Sequence, residues 1–299
     1  MKLGFIGLGR MGFHMVERLL KHKIEVVAYN RSPEKVKEIA KKVAIPAFSI
    51  EELLSKLSGN GKKIVWIMLP AGEATDEMIK KLLPLLSKGD IIVDGANDFY
   101  ENAEKHDKWC KKHEIYFFDC GVSGGIWGLK NGYTLMAGGP KEHFKEIEPF
   151  CKALAAKNSY GYFGPAGSGH FVKSVHNIVE YVYLQGLAEG IEMLSKFKHN
   201  IDIKKAASVW KNASVINSWL LDLANIALKS PDFNELSPKI GSVTIEELKK
   251  TKNSLKAYAP AFDAAVKIRE DESNKFVLGK KAIAAIRREF GGHAVEKEK

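Results

Sequence analysis

The amino-terminal half of the chain alternates short apolar runs with stretches whose apolar residues recur at helical spacing. Lys2–Ile6 and Glu25–Tyr29 are β-prone runs, and between them Met15, Leu19 and Leu20 repeat as on one face of a helix. The alternation continues with apolar runs at residues 64–69, 90–94 and 115–120, and with helices expected after residue 74 and over residues 102–113. Strands that alternate with helices predict an α/β fold with a doubly wound parallel sheet.

The pattern changes after the glycine-rich stretch at residues 161–165, and most of the remaining chain is expected to be helical. A long helix is expected from about Gly167 to Lys196. We therefore expect a sheet-containing domain over residues 1–164 and an all-α domain over residues 165–299. The apolar residues of the long helix cover most of its circumference, which predicts burial on nearly all sides. They are Phe171, Val172, Val175, Ile178, Val179, Val182, Tyr183 and Leu184.

Length and composition fit this division. The chain has 299 residues, of which 45% are hydrophobic and 27% charged. This length suits two packed domains, and the apolar content is sufficient for hydrophobic cores, which excludes a disordered class. No run approaches the roughly 20 consecutive apolar residues that a membrane span requires. We expect neither a membrane helix nor a signal peptide.

The formal net charge of +10 is open to three interpretations. The basic residues could form clusters that bind nucleic acid. They could be lysines that lie beside glutamates on solvated helix faces. They could also produce a positive field that attracts small polyanions. The basic residues here are scattered and accompany no recognition motif, so nucleic-acid binding is the least favoured of the three.

The three cysteines, Cys110, Cys120 and Cys151, are widely spaced and form no CxxC pair. Neither a disulfide framework nor a thiolate metal site is indicated, and we expect no bound metal. This cysteine usage predicts a reducing, cytoplasmic location.

A glycine-rich motif joins the first strand to the first helix. Residues 7–12 read Gly7, Leu8, Gly9, Arg10, Met11 and Gly12. Gly7 permits a tight turn, Gly9 lets a pyrophosphate approach the backbone, and Gly12 allows close packing of helix on strand. The amides at the helix start would face the phosphates. A strand, a glycine turn and a helix, followed by a second strand, predict a Rossmann-type dinucleotide-binding domain.

The end of the second strand indicates which dinucleotide is bound. NAD enzymes usually carry an acid there for the ribose 2′-hydroxyl, whereas this chain reads Asn30, Arg31 and Ser32. Arg31 can bind a 2′-phosphate bidentately and Ser32 can donate a further hydrogen bond, so NADP is favoured and NAD is the weaker alternative. The competing interpretation is that Arg31 only caps a surface turn before Pro33.

Three strand ends carry loops suited to ligand binding, because ligands of doubly wound sheets bind beyond the carboxyl ends of the strands. The loops begin at Leu69, at Asp94 and at Gly121. Leu69 and Asn97 are candidates for cofactor contact, and Asn97 and Ser123 can hydrogen-bond a substrate. Ordinary turn chemistry remains the alternative for each loop. Gly124 and Gly125 would let a substrate reach backbone amides.

On the long helix, Lys173, His176, Asn177 and Glu180 fall at i, i+3, i+4 and i+7 and so share one face. Lysine and glutamate on an otherwise apolar helix need explanation, because a buried charge is costly unless it is paired. A solvated stripe with a salt bridge is one explanation. The functional one is that a desolvated lysine acts as a base and a desolvated glutamate as an acid in coupled proton transfers.

These motifs together resemble decarboxylating 6-phosphogluconate dehydrogenase, an enzyme of the pentose phosphate pathway. The resemblance extends over nearly the whole chain and is greatest to the short form that lacks the second large helical repeat. The most specific element is the Lys-x-x-His-Asn-x-x-Glu-Tyr pattern at residues 173–181. The related 3-hydroxyisobutyrate-type dehydrogenases share the lysine but usually lack this histidine and glutamate. The other matching segments are the glycine motif, residues 30–32, residues 123–125 and residues 290–293.

The resemblance implies roles for individual residues. Lys173 would take the proton from the C3 hydroxyl of 6-phosphogluconate as hydride passes to NADP, and Glu180 would protonate C1 of the enediol that remains after loss of carbon dioxide. The substrate-positioning residues it implies are Asn97, Ser123, Gly124, Gly125, His176 and Asn177. Tyr181 and Arg269 would contact the phosphate of this small sugar acid. Arg287 and His293 lie on a C-terminal arm that, in the family, reaches a neighbouring subunit, which implies a homodimer or homotetramer.

The chain departs from the family at one place. The usual Gly-Lys/Arg-Trp-Thr segment, whose basic residue helps to bind the substrate phosphate, is absent from residues 237–254, where Lys249, Lys250 and Lys252 are the available cations. Two rival functions stay open. One is a non-decarboxylating 3-hydroxyacid dehydrogenase of the 3-hydroxyisobutyrate type, and the other is a non-catalytic NADPH-binding protein.

Overall fold

The alternating amino-terminal half forms a single sheet. In the computed structural model, which describes residues 1–59, 61–241, 244–292 and 294–298, this sheet has eight strands. They are β1 (Lys2–Ile6), β2 (Glu25–Tyr29), β3 (Ile45–Ala47), β4 (Ile64–Ile67), β5 (Ile91–Asp94), β6 (Tyr116–Ser123), β7 (Tyr133–Gly138) and β8 (Ala155–Gly164). Their order is β3-β2-β1-β4-β5-β6-β7-β8. The strands from β3 to β6 are parallel, β7 runs antiparallel to β6, and β8 is parallel to β7.

Helices cover both faces of this sheet. They are α1 (Arg10–Lys21), α2 (Pro33–Ala40), α3 (Ile50–Leu57), α4 (Glu73–Leu82), α5 (Tyr100–Lys111), α6 (Gly128–Asn131), α7 (Phe144–Leu154) and the start of α8 (Ser168–Ser195). Successive strand residues point to opposite faces, so Phe5 packs with Met15 of α1 while Ile6 packs with Leu53 of α3. This arrangement confirms the predicted doubly wound α/β fold.

The sequence pattern did not identify β3, β7 or β8. β3 is three residues long and contains Pro46, and β8 is a half-exposed strand with Gly161 within it. Neither has the continuous apolar run that marks a buried parallel strand. β7 begins directly after Gly132, whose φ of 86° turns the chain back along β6.

The chain divides into two compact units, Met1–Ser174 and Val175–Lys299. The division falls inside α8, ten residues beyond the boundary expected at residue 164, which is the last residue of β8. The second unit contains the rest of α8 and α9 (Ile203–Trp210), α10 (Trp219–Lys229), α11 (Ile245–Ser254), α12 (Pro260–Glu270) and α13 (Val277–Gly291). The all-α character expected of the second part is confirmed. None of the described helices is long and apolar enough to cross a bilayer.

The C-terminal tail lies against its own chain. Ser237 N–H donates to the Glu296 carbonyl, and Glu298 N–H donates to the Glu235 carbonyl. The Lys281 ammonium, on α13, donates to the carboxylate of Glu298 at 2.9 Å. These bonds fix residues 296–298 within the second unit.

The expectation that α8 is buried on nearly all sides is wrong. Leu184, Ala188 and Ile191 are buried, but Val179 is 59% exposed and Met193 is 67% exposed. Val175 and Tyr183 lie on the same exposed stripe, which we call the apolar stripe of α8. The chain covers one side of the helix only, and hydrophobic pattern alone does not show which apolar side the chain itself covers.

Candidate active site

The glycine loop between β1 and α1 has the backbone geometry that its sequence predicts. Gly7 adopts φ 101°, and a Cβ there would lie 2.2 Å from the Met68 carbonyl oxygen. A Cβ on Gly12 would lie 2.0 Å from the Gly7 carbonyl oxygen. Gly9 is different, because it is exposed and a Cβ there would meet nothing within 4 Å. Gly7 and Gly12 are therefore required by the fold, whereas the space in front of Gly9 is open.

The residues after β2 hold this loop and extend from it. The side-chain oxygen of Asn30 accepts a hydrogen bond from the Leu8 N–H at 2.9 Å, which ties the loop to the end of β2. Arg31 and Ser32 are exposed. The Arg31 guanidinium makes no hydrogen bond or ion pair with any residue that the structure describes. Open backbone at the N-terminus of α1 and an available cation beside it fit a nicotinamide dinucleotide.

The other predicted loops lie at the carboxyl ends of β4, β5 and β6. Asp94, the last residue of β5, is fully buried and accepts a hydrogen bond from the Ala96 N–H, which shapes the turn that presents Asn97 at the surface. Leu69 and Ser123 are half-buried. Gly124 and Gly125 have φ values of 123° and 55°, so the predicted glycines are required by the turn itself.

The start of α8 is bound to the sheet by one carboxylate. Asp119 on β6 is fully buried, and its two oxygens accept hydrogen bonds from the Gly167 and His170 N–H groups at 2.8 and 2.7 Å. A carboxylate at a helix N-terminus also interacts favourably with the helix dipole. Asp119 therefore fixes where α8 begins and which way its first turn faces.

Two glycines allow the first turns of α8 to approach the sheet closely. A Cβ on Gly169 would lie 2.3 Å from the Met136 carbonyl oxygen, and one on Gly121 would lie 2.4 Å from Cβ of Lys173. Lys173 is only 8% exposed. The first unit thus places the predicted base in a buried position directly against β6.

Lys173 shares one helix face with His176, Asn177 and Glu180, a set that we call the polar stripe. The last three lie on the α8 segment that belongs to the second unit. Asn177 is buried, Glu180 is half-buried and His176 is exposed. Nδ1 of His176 lies 3.1 Å from the side-chain oxygen of Asn177. The continuous helix keeps these side chains and Lys173 on one face, as the spacing predicts.

A buried cationic cluster lies in the second unit. The guanidinium carbon of Arg269 is 3.4 Å from the centre of the Tyr181 ring, a stacked cation–π contact. Arg269 is 8% exposed, and its three guanidinium nitrogens make no hydrogen bond to a described residue. Burial, and to a lesser extent the charge of Arg287, lower the pKa of Arg269 to about 10, an effect that Tyr181 and Glu180 partly oppose. Burial likewise lowers the pKa of Arg287.

A buried guanidinium without a hydrogen bond to a described residue, as in Arg269, is costly unless an anion pairs with it, and the charge of Glu180 offsets this cost only in part. The cluster therefore has the character of an anion site. It unites Tyr181, Arg269 and Arg287, three residues that the family resemblance implies as substrate contacts, within a single chain.

Two of the three lysines considered as substitutes for the missing family segment are engaged elsewhere. Lys249 donates to Glu246 and Glu270, and Lys252 donates to both oxygens of Asp263. Lys250 is exposed on α11 and makes no ion pair with a described carboxylate. His293 lies outside the described residues. In the described part of the chain, no group of three or more metal-ligating side chains is present.

Sequence reasoning did not single out Asp119 or His106, or the carboxylate of Asp94, as site residues. Asp94 and Asp119 occupy equivalent positions in the register of two neighbouring strands, β5 and β6. An acid at the end of two adjacent apolar runs is the signal that could have found them, since a carboxylate in a buried strand needs a nearby partner. His106 gave no signal, because one histidine on a polar helix is ordinarily solvated.

Comparison with known proteins identifies relatives over the whole chain. Residues 2–164 match the family model described as the NAD binding domain of 6-phosphogluconate dehydrogenase. The chain is 34% identical over 304 residues to YqeC of Bacillus subtilis (strain 168), with both chains fully covered; YqeC itself is only provisionally assigned as a 6-phosphogluconate dehydrogenase. It is 41% identical over 230 residues to the NAD(+)-dependent, decarboxylating 6-phosphogluconate dehydrogenase of Haloferax volcanii, over 77% of this chain and 75% of that one.

A solved structure shows the same fold. The 6-phosphogluconate dehydrogenase of Plasmodium falciparum, studied with its cofactor NADP+ and its substrate 6-phosphogluconate, superposes with a TM-score of 0.82 at 28% identity, over 90% of this chain and 61% of that one. The fold and the dinucleotide loop define a nicotinamide-dependent oxidoreductase. More specifically, the chain belongs to the 6-phosphogluconate dehydrogenase family.

The glycine loop yields a paired prediction. Gly9→Ala should leave the melting temperature unchanged and weaken dinucleotide binding, because the new methyl group meets no protein atom but occupies the space expected for the pyrophosphate. Gly12→Ala should lower the melting temperature by several degrees, since its methyl group collides with the Gly7 carbonyl. Calorimetry and titration of NADPH fluorescence measure both effects. Normal binding by Gly9→Ala would exclude Gly9 from the pyrophosphate site.

Proposed function

We propose that this protein catalyses the oxidative decarboxylation of 6-phosphogluconate to ribulose 5-phosphate and carbon dioxide with reduction of NADP. The observation that carries the proposal is the buried Arg269, whose guanidinium lacks hydrogen bonds in the described structure and lies on Tyr181, the residue that follows Glu180 on the helix of Lys173. An acid–base pair on a helix whose next residue, Tyr181, stacks on a buried arginine fits a phosphorylated hydroxy acid.

In the proposed reaction, NADP supplies the hydride acceptor when bound. The glycine loop and the N-terminus of α1 would hold its pyrophosphate, and Arg31 with Ser32 would hold the 2′-phosphate. The Leu69 loop and Asn97 would lie alongside it, as the strand-end position of both loops suggests.

Lys173 acts first as the general base. It removes the proton from the C3 hydroxyl while the C3 hydrogen leaves as hydride, which makes a ketone at C3. The carboxylate is then β to a carbonyl, so carbon dioxide departs and its bonding electrons move toward the C3 oxygen. Lys173 returns the proton to that oxygen, giving an enediol. The step requires no metal, because the protonated lysine stabilises the developing negative charge.

Glu180 acts second, as the acid that protonates C1 of the enediol. Lys173, neutral again after the previous step, takes the proton of the C2 hydroxyl at the same time, so that the C2 carbonyl of ribulose 5-phosphate forms. It lies seven residues beyond Lys173, which places the two backbone positions about 10 Å apart along the helix axis. Both side chains lie on the face that also carries Asn177 and His176. We assign to these two, and to Asn97, Ser123, Gly124 and Gly125, the positioning of the sugar acid's hydroxyl and carboxylate groups.

The phosphate of the substrate would be bound by Arg269, Arg287 and Tyr181, and we include His293 in this group from the family resemblance. Both arginines are buried, so pairing with a phosphate would relieve the cost of their burial. In this chain Lys249 and Lys252 pair with carboxylates, and two arginines would take the place of the basic residue in the family's Gly-Lys/Arg-Trp-Thr segment.

Assembly and location are also proposed. The apolar stripe of α8 and the exposed Trp219 and Ile226 of α10 support a homodimer or homotetramer, because monomers rarely expose large apolar patches. The three cysteines are buried free thiols, which fits the cytoplasm.

The reaction itself is the first test of this proposal. With 6-phosphogluconate and NADP, the purified protein should release carbon dioxide and NADPH in equal amounts. Lys173→Met and Glu180→Gln should each lower kcat by on the order of 100-fold or more. The exposed Lys196→Met and Glu189→Gln, near the other end of the same helix, are matched controls that should retain activity.

The rival functions give different results in the same assay. NADPH without carbon dioxide from 3-hydroxyisobutyrate, and no activity on 6-phosphogluconate, would establish the non-decarboxylating dehydrogenase. NADPH binding without turnover of either acid would establish the non-catalytic protein.

Cofactor preference is tested at Arg31. Arg31→Ala should raise KM for NADP on the order of 10- to 100-fold, which is the contribution of one or two hydrogen bonds to a charged group, and should leave KM for NAD nearly unchanged. Steady-state kinetics with both dinucleotides measure the difference. The Haloferax relative is named as NAD(+)-dependent. If the wild-type protein likewise uses NAD in preference to NADP, or if both constants rise together, Arg31 has no role at a 2′-phosphate.

The phosphate site is tested by comparing neighbouring arginines. Arg269→Met and Arg287→Met should each raise KM for 6-phosphogluconate on the order of 10- to 100-fold. Arg288→Met is the control, because Arg288 already pairs with Asp232 at 2.8 Å. Unphosphorylated gluconate should show no such dependence. An equal loss with gluconate would mean that the two arginines only support the fold.

A further inference from the structure

His106 lies in a fully buried position between two carboxylates of the first unit. Its Nε2 is 2.6 Å from Oδ1 of Asp76 on α4, a hydrogen-bond distance. Its Nδ1 is 3.7 Å from Oδ2 of Asp94 at the end of β5, the separation of an ion pair. The His106 side chain thus connects α4, which follows the loop that begins at Leu69, with the end of β5, where the loop to Asn97 begins. Both loops are expected to contact ligands.

The Asp76 contact holds α4. Oδ2 of Asp76 accepts a hydrogen bond from the Lys105 ammonium at 2.8 Å, so His106 and Lys105 together bind both carboxylate oxygens to α5. Thr75, one residue earlier, donates its hydroxyl proton to the Pro70 carbonyl at 2.9 Å. The start of α4 is in this way tied to α5 and to the loop that begins at Leu69.

The Asp94 contact holds the turn at residues 94–97. One oxygen of Asp94 accepts the Ala96 N–H, and the other faces His106. The Asp94 carbonyl oxygen lies 3.3 Å from Nε2 of His170, on the first turn of α8. Because Asp94 is fully buried, a carboxylate charge there needs a cation nearby. Two titratable side chains of α5 lie close to Asp94, and of these His106 can supply a positive charge, whereas the thiol of Cys110 cannot.

The surroundings favour the doubly protonated ring. Burial alone would lower the pKa of His106, but Asp94 and Asp76 outweigh it and raise the pKa above its ordinary value. Burial would raise the pKa of Asp76, but Lys105 and His106 outweigh it and lower that pKa. The other groups against the ring are Trp109 of α5 and Phe117 of β6, neither of which is charged. A neutral imidazole has one N–H and can serve only one of the two carboxylates.

We propose that His106 is a positioning residue, which as an imidazolium bridges Asp76 and Asp94 and so fixes the turn that presents Asn97. The inference rests on the proposed function only in assigning that turn to the dinucleotide and substrate. His106 itself touches neither. It acts through Asp94, whose hydrogen bond to Ala96 sets the path of the backbone to Asn97.

Two substitutions separate the two contacts. In His106→Asn the amide nitrogen takes roughly the place of Nδ1 and can still donate to Asp94, whereas in His106→Gln it takes roughly the place of Nε2 and can donate only to Asp76. We expect His106→Gln to weaken binding of NADPH or NADH about tenfold and to lower kcat/KM by more than His106→Asn does, because a displaced turn misplaces Asn97. Fluorescence titration of the reduced dinucleotides measures binding in the full-length protein.

The pH dependence distinguishes positioning from packing. The imidazolium exists below the raised pKa of His106 and is lost as pH rises through it, so wild-type affinity should fall toward that of His106→Gln across the pH range above the ordinary pKa of histidine. Asp76 stays ionised throughout this range because its pKa is lowered. His113→Gln, an exposed histidine just beyond the end of α5, is the control and should follow the wild type at every pH.

Equal affinities for His106→Asn and His106→Gln, or a constant ratio between wild type and His106→Gln across the pH range, would overturn the proposal. A lower melting temperature of the His106 variants, with unchanged affinity of the folded protein for the reduced dinucleotide, would also overturn it. Because dinucleotide binding is measured without substrate, these results hold even if 6-phosphogluconate is not oxidised, in which case the proposed function fails on its own.

Discussion

The attachment of α8 to the sheet is the constraint on which the rest of the site depends. Asp119 accepts two backbone hydrogen bonds from the first turn of the helix, and glycines at positions 121 and 169 remove the side chains that would otherwise hold helix and sheet apart. Lys173 is buried because of this close approach. A side chain at either glycine would move the helix, and with it the lysine, away from the strand ends where the dinucleotide loops lie.

Much of this architecture can be predicted from the sequence because it depends on local chemistry. The glycine motif, the alternating strands and the four-residue polar stripe each obey a fixed period or a fixed backbone requirement, so the order of residues alone reveals them. The sequence does not reveal β3 and β8 because β3 is short and β8 is half-exposed. It does not reveal β7, which is buried, because the pairing of β7 depends on a turn and on a sheet that other residues build. The exposure of Val179 and Met193 could not be predicted from the sequence for a related reason, since burial of an apolar side chain depends on what packs against it.

The site residues divide in the same way. Lys173 and Glu180 are recognisable because charged residues on an apolar helix conflict with their surroundings. Asp94, Asp119 and His106 are recognisable only when the carboxylates are seen to be buried and the histidine is seen to lie between two of them. Arg269 belongs to both groups, because family resemblance implied its role but only the structure shows that its guanidinium is buried on Tyr181 and lacks hydrogen bonds to described residues.

The continuity of α8 has a consequence for how the chemistry is maintained. The helix passes without interruption from one compact unit to the other, with Lys173 just before the division and Glu180 just after it. The spacing between Lys173 and Glu180, the base and acid of the proposed reaction, is therefore a property of helix register, set by the 3.6-residue turn and independent of any motion of loops. A single inserted residue between them would rotate the glutamate by about 100° about the axis and abolish the pairing, whereas insertions elsewhere would spare it. Seven residues of uninterrupted helix thus set the distance between the two side chains that we propose as base and acid.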